Sequence, residues 1–129
     1  RTPAVRQNEG PGNALLATMA YAQVSEVVTV FGEKGVSAEQ VAAALVKEVK
    51  AYQASEGALG QHLADQLMLP LALAVLDRGG AASFTCTEMT EHATTNIGVI
   101  ERFLPVRFDV TPGNAGSCVR VVAPPPDAR

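Results

Sequence analysis

The stretch LMLPLALAVL, at residues 67–76, is apolar on every side of the helix that it is expected to form. A helix that is apolar all round is typical of a segment buried on most sides. We predict that it ends a helix over about residues 58–76, which Pro70 kinks because its ring removes the bond to the carbonyl of Gln66. The fold must therefore supply both a sheet and another layer to cover this segment.

The chain before this helix predicts two strands and a further helix. The apolar run at residues 14–22 and the valine- and threonine-rich run at residues 25–31 are typical of strands. Ser37 and Gln40 have the spacing of a capping box, in which each side chain satisfies an amide at the start of a helix. Apolar residues then recur at helical spacing as far as Tyr52.

The chain after residue 76 predicts a strand, a helix and a hairpin. We expect a short strand at residues 83–87 and a helix at residues 94–104, which Pro105 ends. Residues 106–110 and 118–122 form a hairpin around the turn-rich TPGNAG. The element order β-β-α-α-β-α-β-β predicts an α+β fold of layered sheet-and-helix units, with β-β-α followed by α-β-α-β-β.

Composition and charge exclude several classes of protein. The 129 residues are 47% hydrophobic and 18% charged, which excludes an intrinsically disordered chain. No stretch of 18 apolar residues is free of charge and proline, so we expect no membrane span. A net charge of −3 excludes a polycation, so any contact with nucleic acid is local.

The cysteines favour the cytoplasm. Cys86 and Cys118 each lie in a strand-like apolar stretch, and free thiols are favoured over a pair. Without a CxxC motif or a third cysteine, a cysteine zinc site is not expected. Because the chain begins at Arg1 with no signal segment, we expect it to be a piece of a longer protein.

One histidine lies where a helix start is expected. His92 follows an apparent strand and precedes the helix of TEHATTNIGVIERFL. A helix start favours anions such as phosphate and disfavours an imidazolium, which suits a nucleophile or general base. The spacing alone leaves open a surface histidine beside a helix cap, with Thr90 as the capping residue.

A polar trio lies just before the expected kink. His62, Asp65 and Gln66 stand at i, i+3 and i+4, so they project from one face of a helix. Such a trio is either a solvated surface network or a ligand site. A carboxylate beside an amide can bind a metal or a nucleotide, but the spacing does not decide between these alternatives.

Three segments together resemble the RNA 3'-terminal phosphate cyclase family. They are VAAALVKEVKAY at residues 41–52, HLADQLMLPLALA at 62–74 and EHATTNIGVIERFLPVRF at 91–108. The likeness extends from about Gly10 to Val122 and implies the C-terminal part of a longer enzyme. It assigns residues 1–61 to the end of a small inserted domain, residues 62–122 to the end of the large repeat-built catalytic domain, and residues 123–129 to a flexible tail.

The resemblance implies an ATP-dependent ligase-type reaction. In this family a histidine takes AMP from ATP and passes it to an RNA 3'-phosphate, which the 2'-hydroxyl then closes to a 2',3'-cyclic phosphate. His92 matches that histidine, while Asp65 and Gln66 match a nucleotide-binding pair in which Asp65 would also serve Mg²⁺ or Mn²⁺. His62 stands where a family member places a tyrosine against adenine, so the strength of stacking is in question.

The resemblance also implies partners and leaves one alternative. RNA 3'-phosphate ends and the N-terminal part of the same enzyme are the expected partners, and the 129 residues by themselves are expected to be inactive. Packing, independently of the resemblance, predicts that the isolated chain self-associates, swaps elements or binds the N-terminal part, because residues 67–76 need cover from a sheet and another layer. The alternative is a non-catalytic cyclase-like scaffold in RNA processing or ribosome assembly. His92 with its flanking TTN favours the enzyme, because a scaffold needs no nucleophile there.

Overall fold

A computed structural model describes residues 12–124 and confirms the α+β class and the expected order of elements. The first of two compact units ends at Ala51 and the second begins at Tyr52. The predicted domain boundary at residue 61 stays a prediction, and residues 1–11 and 125–129, with most of the predicted tail, lie outside the described part. The elements are β1 (Ala14–Ala20), β2 (Ser25–Phe31), α1 (Ala38–Ala54), α2 (Gln61–Arg78), β3 (Ala81–Cys86), α3 (Glu91–Phe103), β4 (Arg107–Gly113) and β5 (Gly116–Val122).

The first unit holds a hairpin and the capped start of α1. β1 and β2 pair along their whole length, and the N–H of Tyr21 donates to the carbonyl of Val24 at 2.9 Å in the turn. The predicted capping box is present, since the N–H of Ser37 donates to Gln40 Oε1 at 2.8 Å and the N–H of Gln40 to Ser37 Oγ at 3.3 Å. Both bonds are local, so the sequence spacing was sufficient to predict them.

The second unit is an antiparallel sheet in the order β3–β5–β4, against which α2 and α3 pack. The inward positions of the central strand, Val119 and Val121, are fully or almost fully buried. The hairpin strands are longer than predicted, because they pair as far as Gly113 and Gly116 and leave only Asn114 and Ala115 in the turn.

The start of α2 differs from the prediction. Residues near 58 form no helix, because Leu59 pairs with Cys86 in a parallel bridge beside β3. The N–H of Leu59 donates to the carbonyl of Thr85 at 3.0 Å, and the N–H of Thr87 donates to the carbonyl of Leu59 at 2.9 Å. The helix therefore begins at Gln61 and continues through Pro70.

The expectation that residues 67–76 are covered on most sides is only partly correct. Met68, Ala72 and Val75 are buried, but Leu69 and Leu73 remain nearly half exposed in the described structure. These two leucines stand four residues apart and so lie on one side of the helix. The apolar stretch thus has a buried side and a solvent-facing side within this chain.

The start of α3 is also earlier than predicted. Thr90 is the N-cap, and its Oγ1 accepts the N–H of Ala93 at 3.1 Å. The helix begins at Glu91 instead of residue 94 and therefore includes His92 in its first turn. At its other end, Glu101 Oε1 accepts the N–H of Phe108 at 2.7 Å and so ties α3 to β4.

Both cysteines are free, as predicted, with Cys86 buried and Cys118 exposed. Thr85 is the residue opposite Cys118 in the β3–β5 register, so the two cysteines point to opposite faces of the sheet. Between residues 12 and 124, no helix combines the length and the hydropathy needed to cross a bilayer.

Candidate active site

The first two turns of α2 and the first turn of α3 line one pocket of about 330 Å³, at the small end of the usual range for ligand sites. This pocket brings together all four residues that the sequence predicted for the site. Its lining residues are Gln61, His62, Asp65, Gln66, Thr90 and His92.

The centre of the pocket is a histidine–carboxylate pair. His92 Nδ1 lies 3.1 Å from Asp65 Oδ2, and the His92 side chain is 82% exposed while that of Asp65 is 20% exposed. An ionised carboxylate only accepts hydrogen bonds, so a hydrogen bond between these two atoms requires the proton on Nδ1. A neutral ring protonated in this way has its lone pair on Nε2, and the exposed side chain leaves the ring accessible to a ligand.

A third residue, which the sequence reasoning missed, holds the carboxylate from its other side. Asn96 Nδ2 donates to Asp65 Oδ1 at 2.8 Å and to the backbone carbonyl of Asp65 at 3.3 Å. Asn96 stands four residues after His92, one turn further along α3. That spacing was the available signal, because it places both side chains on the same side of the helix.

His62 and Gln66 form the wall that α2 contributes. Both side chains are exposed, stand one turn apart and line the same pocket as His92. His62 Nε2 lies 3.5 Å from Gln61 Nε2. The wall therefore offers a flat ring and an amide, which suit the face and the polar edge of a base, beside the histidine–carboxylate pair.

Similarity to known proteins decides the family. A model of the RNA 3'-terminal phosphate cyclase family matches residues 9–110. The chain belongs to this family. The RNA 3'-terminal phosphate cyclases of Salmonella enteritidis and Salmonella gallinarum are each 50% identical over 112 residues, which are 87% of this chain and 32% of the relative. That of Salmonella typhimurium is 49% identical over the same shares. The chain thus spans about a third of the length of the curated relatives it matches.

The start of α3 gives this cyclase-family pocket its electrostatic character. The first N–H groups of a helix have no acceptor within the helix, and they carry the positive end of its dipole. Thr90 Oγ1 takes the N–H of Ala93, which leaves the N–H groups of Glu91 and His92 without an intrahelical acceptor. This end of α3 is therefore suited to an anion next to the imidazole.

The fit of a divalent cation to this cyclase-family site rests on Asp65. Within the described residues, no group of three or more histidine, cysteine or acidic side chains could hold a metal ion. Each Asp65 oxygen already faces one partner, His92 or Asn96, and has one further lone pair. Mg²⁺ commonly binds through one or two carboxylates together with phosphate oxygens and water, which this arrangement permits. The metal role of Asp65 stays a prediction.

Proposed function

We propose that this chain is the C-terminal part of an ATP-dependent RNA 3'-terminal phosphate cyclase in which His92 is the nucleophile. The observation that carries the proposal is the His92–Asp65 pair, in which Nδ1 lies 3.1 Å from a carboxylate oxygen and the exposed ring lines the pocket. This arrangement suits a nucleophilic histidine, because a carboxylate that accepts the proton of one ring nitrogen leaves the lone pair on the other.

The first step would be attack of His92 Nε2 on the α-phosphorus of ATP. A nitrogen–phosphorus bond forms, the bond from the α-phosphorus to the bridging oxygen breaks, and pyrophosphate leaves. Positive charge develops on the imidazole during this step, and the adjacent Asp65 carboxylate stabilises it. The N–H groups at the start of α3 would stabilise the charge on the phosphate oxygens.

Two further steps would complete the reaction at the RNA end. A 3'-phosphate oxygen attacks the phosphorus of the histidine adduct, and AMP moves to the RNA as Nε2 leaves. The neighbouring 2'-hydroxyl then loses its proton and attacks the 3'-phosphorus, so that AMP departs and the 2',3'-cyclic phosphate forms. His92 thereby returns to its starting state.

The pocket wall supports a role in holding the nucleotide. We assign His62 to stacking against adenine and Gln66 to hydrogen bonding, because both are exposed at the pocket beside His92. When bound, Mg²⁺ or Mn²⁺ would neutralise phosphate charge, with Asp65 as the ligand that this chain can contribute. Imidazole has a smaller face than a phenol ring, so we expect weaker stacking than in relatives with tyrosine at this position.

The rest of the enzyme would cover an exposed side of α2 and α3. Leu69 and Leu73 are 45% and 49% exposed, and Val99 and Phe103 are 49% and 82% exposed. We call these four side chains the apolar helix face. Covering them would recover roughly 3–7 kcal/mol, given about 1.5–3 kcal/mol for each side chain fully buried. Because His92, Val99 and Phe103 follow one another on one side of α3, a segment that covers this face would also border the pocket.

The scaffold alternative has no observation in its favour here. A binding module has no need to fix the tautomer of an exposed histidine, whereas a nucleophile requires it.

The proposed function also includes the cytoplasm as the place of action, on the basis of two free thiols in strands.

Labelling with ATP tests the proposal. The complete protein, incubated with ATP labelled in its α-phosphate and with Mg²⁺, should acquire label that is lost in acid and kept in alkali, as expected for a nitrogen–phosphorus bond. His92→Asn should acquire none, because the amide keeps hydrogen bonding but lacks the nucleophilic nitrogen. His62→Asn is the matched control, and it should still be labelled at a higher ATP concentration. Absence of label in the unmodified protein would contradict the proposal.

A further inference from the structure

We infer that Asn96 is a positioning residue for adenylylation, which acts by fixing the carboxylate of Asp65 and through it the ring of His92. The inference rests on the proposed function, because it concerns the same nucleophile. It adds a residue that the resemblance did not assign.

Asn96 donates two hydrogen bonds to one residue, Asp65. Its Nδ2 lies 2.8 Å from Asp65 Oδ1 and 3.3 Å from the Asp65 carbonyl oxygen. A donor that holds both the side chain and the backbone of Asp65 restricts rotation of the carboxylate group. Since Oδ1 is held by Asn96, Oδ2 is directed towards His92 Nδ1 at 3.1 Å.

The orientation of the His92 ring depends on this support from Asp65. The His92 side chain is 82% exposed, so packing contributes little to its orientation. A neutral imidazole in water prefers to carry its proton on the nitrogen remote from the backbone, which is Nε2. A proton on Nε2 removes the lone pair that must attack phosphorus, so the catalytic orientation depends on an acceptor held at Nδ1.

The nucleophile His92 and the amide of Asn96 lie on one rigid element, the helix α3. His92 and Asn96 are one turn apart on α3, and Asp65 of α2 reaches both of them. The helix fixes the separation between the nucleophile and the amide, so Asp65 can satisfy both only in a narrow range of orientations. Asn96 therefore sets both the tautomer and the direction of the nucleophile without touching substrate.

Two substitutions in the complete protein test the inference. Asn96→Ala removes the amide, and Asn96→Leu keeps a branched side chain but has no hydrogen-bond donor. We expect the single-turnover rate of AMP transfer at saturating ATP to fall roughly 10- to 100-fold in both. The ATP concentration for half-maximal rate should change little, because the positioning of the nucleophile and not the binding of ATP is affected.

The rate constant of AMP transfer and the final amount of adduct together distinguish a positioning role of Asn96 from a merely structural one. Loss of folded protein lowers the amount of adduct formed but leaves the rate constant of the folded fraction unchanged. Glu101→Ala is the matched structural control, since it removes the bond from α3 to the N–H of Phe108 and should lower stability with an unchanged rate constant. Asn114→Ala, in the exposed turn after β4, is the matched control for the chemical change and should alter neither quantity.

A spectroscopic measurement tests the tautomer first in the unmodified protein and then in a variant. Nitrogen-15 spectra of the histidine rings should show neutral His92 with its proton on Nδ1, and Asn96→Leu should shift it towards the Nε2–H form. The inference is overturned if unmodified His92 carries its neutral-state proton on Nε2, or if both variants transfer AMP at the unmodified rate. If the unmodified protein forms no adduct at all, the proposed function itself fails, which is a distinguishable result.

Discussion

Replacing Asp65 with asparagine should slow AMP transfer without unfolding the protein. The carboxylate lies 3.1 Å from His92 Nδ1, and Asp65→Asn keeps its shape while removing the charge. At this distance the interaction with a developing imidazolium is between about 1.3 kcal/mol at the dielectric constant of water and about 5 kcal/mol at an effective value of 20. The exposure of His92 favours the lower part of that range, roughly 1.4–2.7 kcal/mol, and therefore a rate about 10- to 100-fold lower.

The tautomer adds to this loss. Asn96 donates to the oxygen at the Oδ1 position, so an asparagine at residue 65 would place its amide oxygen there and its NH₂ group towards His92. A donor at that position pairs with an unprotonated Nδ1 and so favours the proton on Nε2, the form that cannot attack. The charge and the tautomer thus change the rate in the same direction.

The assay is single-turnover AMP transfer from labelled ATP, together with thermal unfolding of the same preparation. Asp77→Asn, an exposed position near the end of α2, makes the same chemical change on the same helix and should leave both measurements unchanged. An Asp65→Asn protein that is folded and transfers AMP at the unmodified rate would refute the reasoning.

The remaining predictions concern the core, the thiols and the apolar helix face. Met68→Ala should lower the free energy of unfolding by about 2–5 kcal/mol in denaturant titration, because Met68 is fully buried. Cys118 should react with a thiol reagent in the folded protein while Cys86 reacts only on unfolding, because burial raises the pKa of the Cys86 thiol. The folded state therefore keeps that proton longer than the unfolded chain does, and stability measured against pH should decline above about pH 8.5. The 129-residue chain should sediment as oligomers, and substitution of Leu73 and Phe103 with serine should shift it towards monomer; an unmodified chain that is already monomeric would contradict this.

The features predicted correctly from the sequence depend on local contacts. The capping box at Ser37 and Gln40 joins residues three positions apart, so its spacing is visible in the sequence. The starts of α2 and α3 were predicted wrongly for a different reason in each case. At α2 a contact with a residue far along the chain competes with helix formation, since Leu59 pairs with Cys86 of β3 instead of entering the helix. At α3 the decisive contact is local, because Thr90 caps the helix and sets its start at Glu91, which places His92 in the first turn.

In the site, too, contacts within one helix were predictable from the sequence, whereas contacts between helices were not. The face shared by His62, Asp65 and Gln66 follows from helical spacing, and all three line the pocket. Helical spacing does not predict that these three residues lie close to His92. Only the resemblance to the cyclase family groups them with it. Asn96 was missed because its partner Asp65 lies 31 residues earlier in the chain. Only the packing of α2 against α3 brings that amide to the carboxylate.

Mapping the AMP adduct in the complete protein tests the central claim most directly. After incubation with ATP and Mg²⁺, digestion under alkaline conditions and mass spectrometry should locate one AMP on the peptide that contains His92, bonded through the imidazole. The adduct should disappear when RNA with a 3'-phosphate is added and a 2',3'-cyclic end is formed. An adduct on any other residue, or cyclic product formed with His92 replaced by asparagine, would contradict the account.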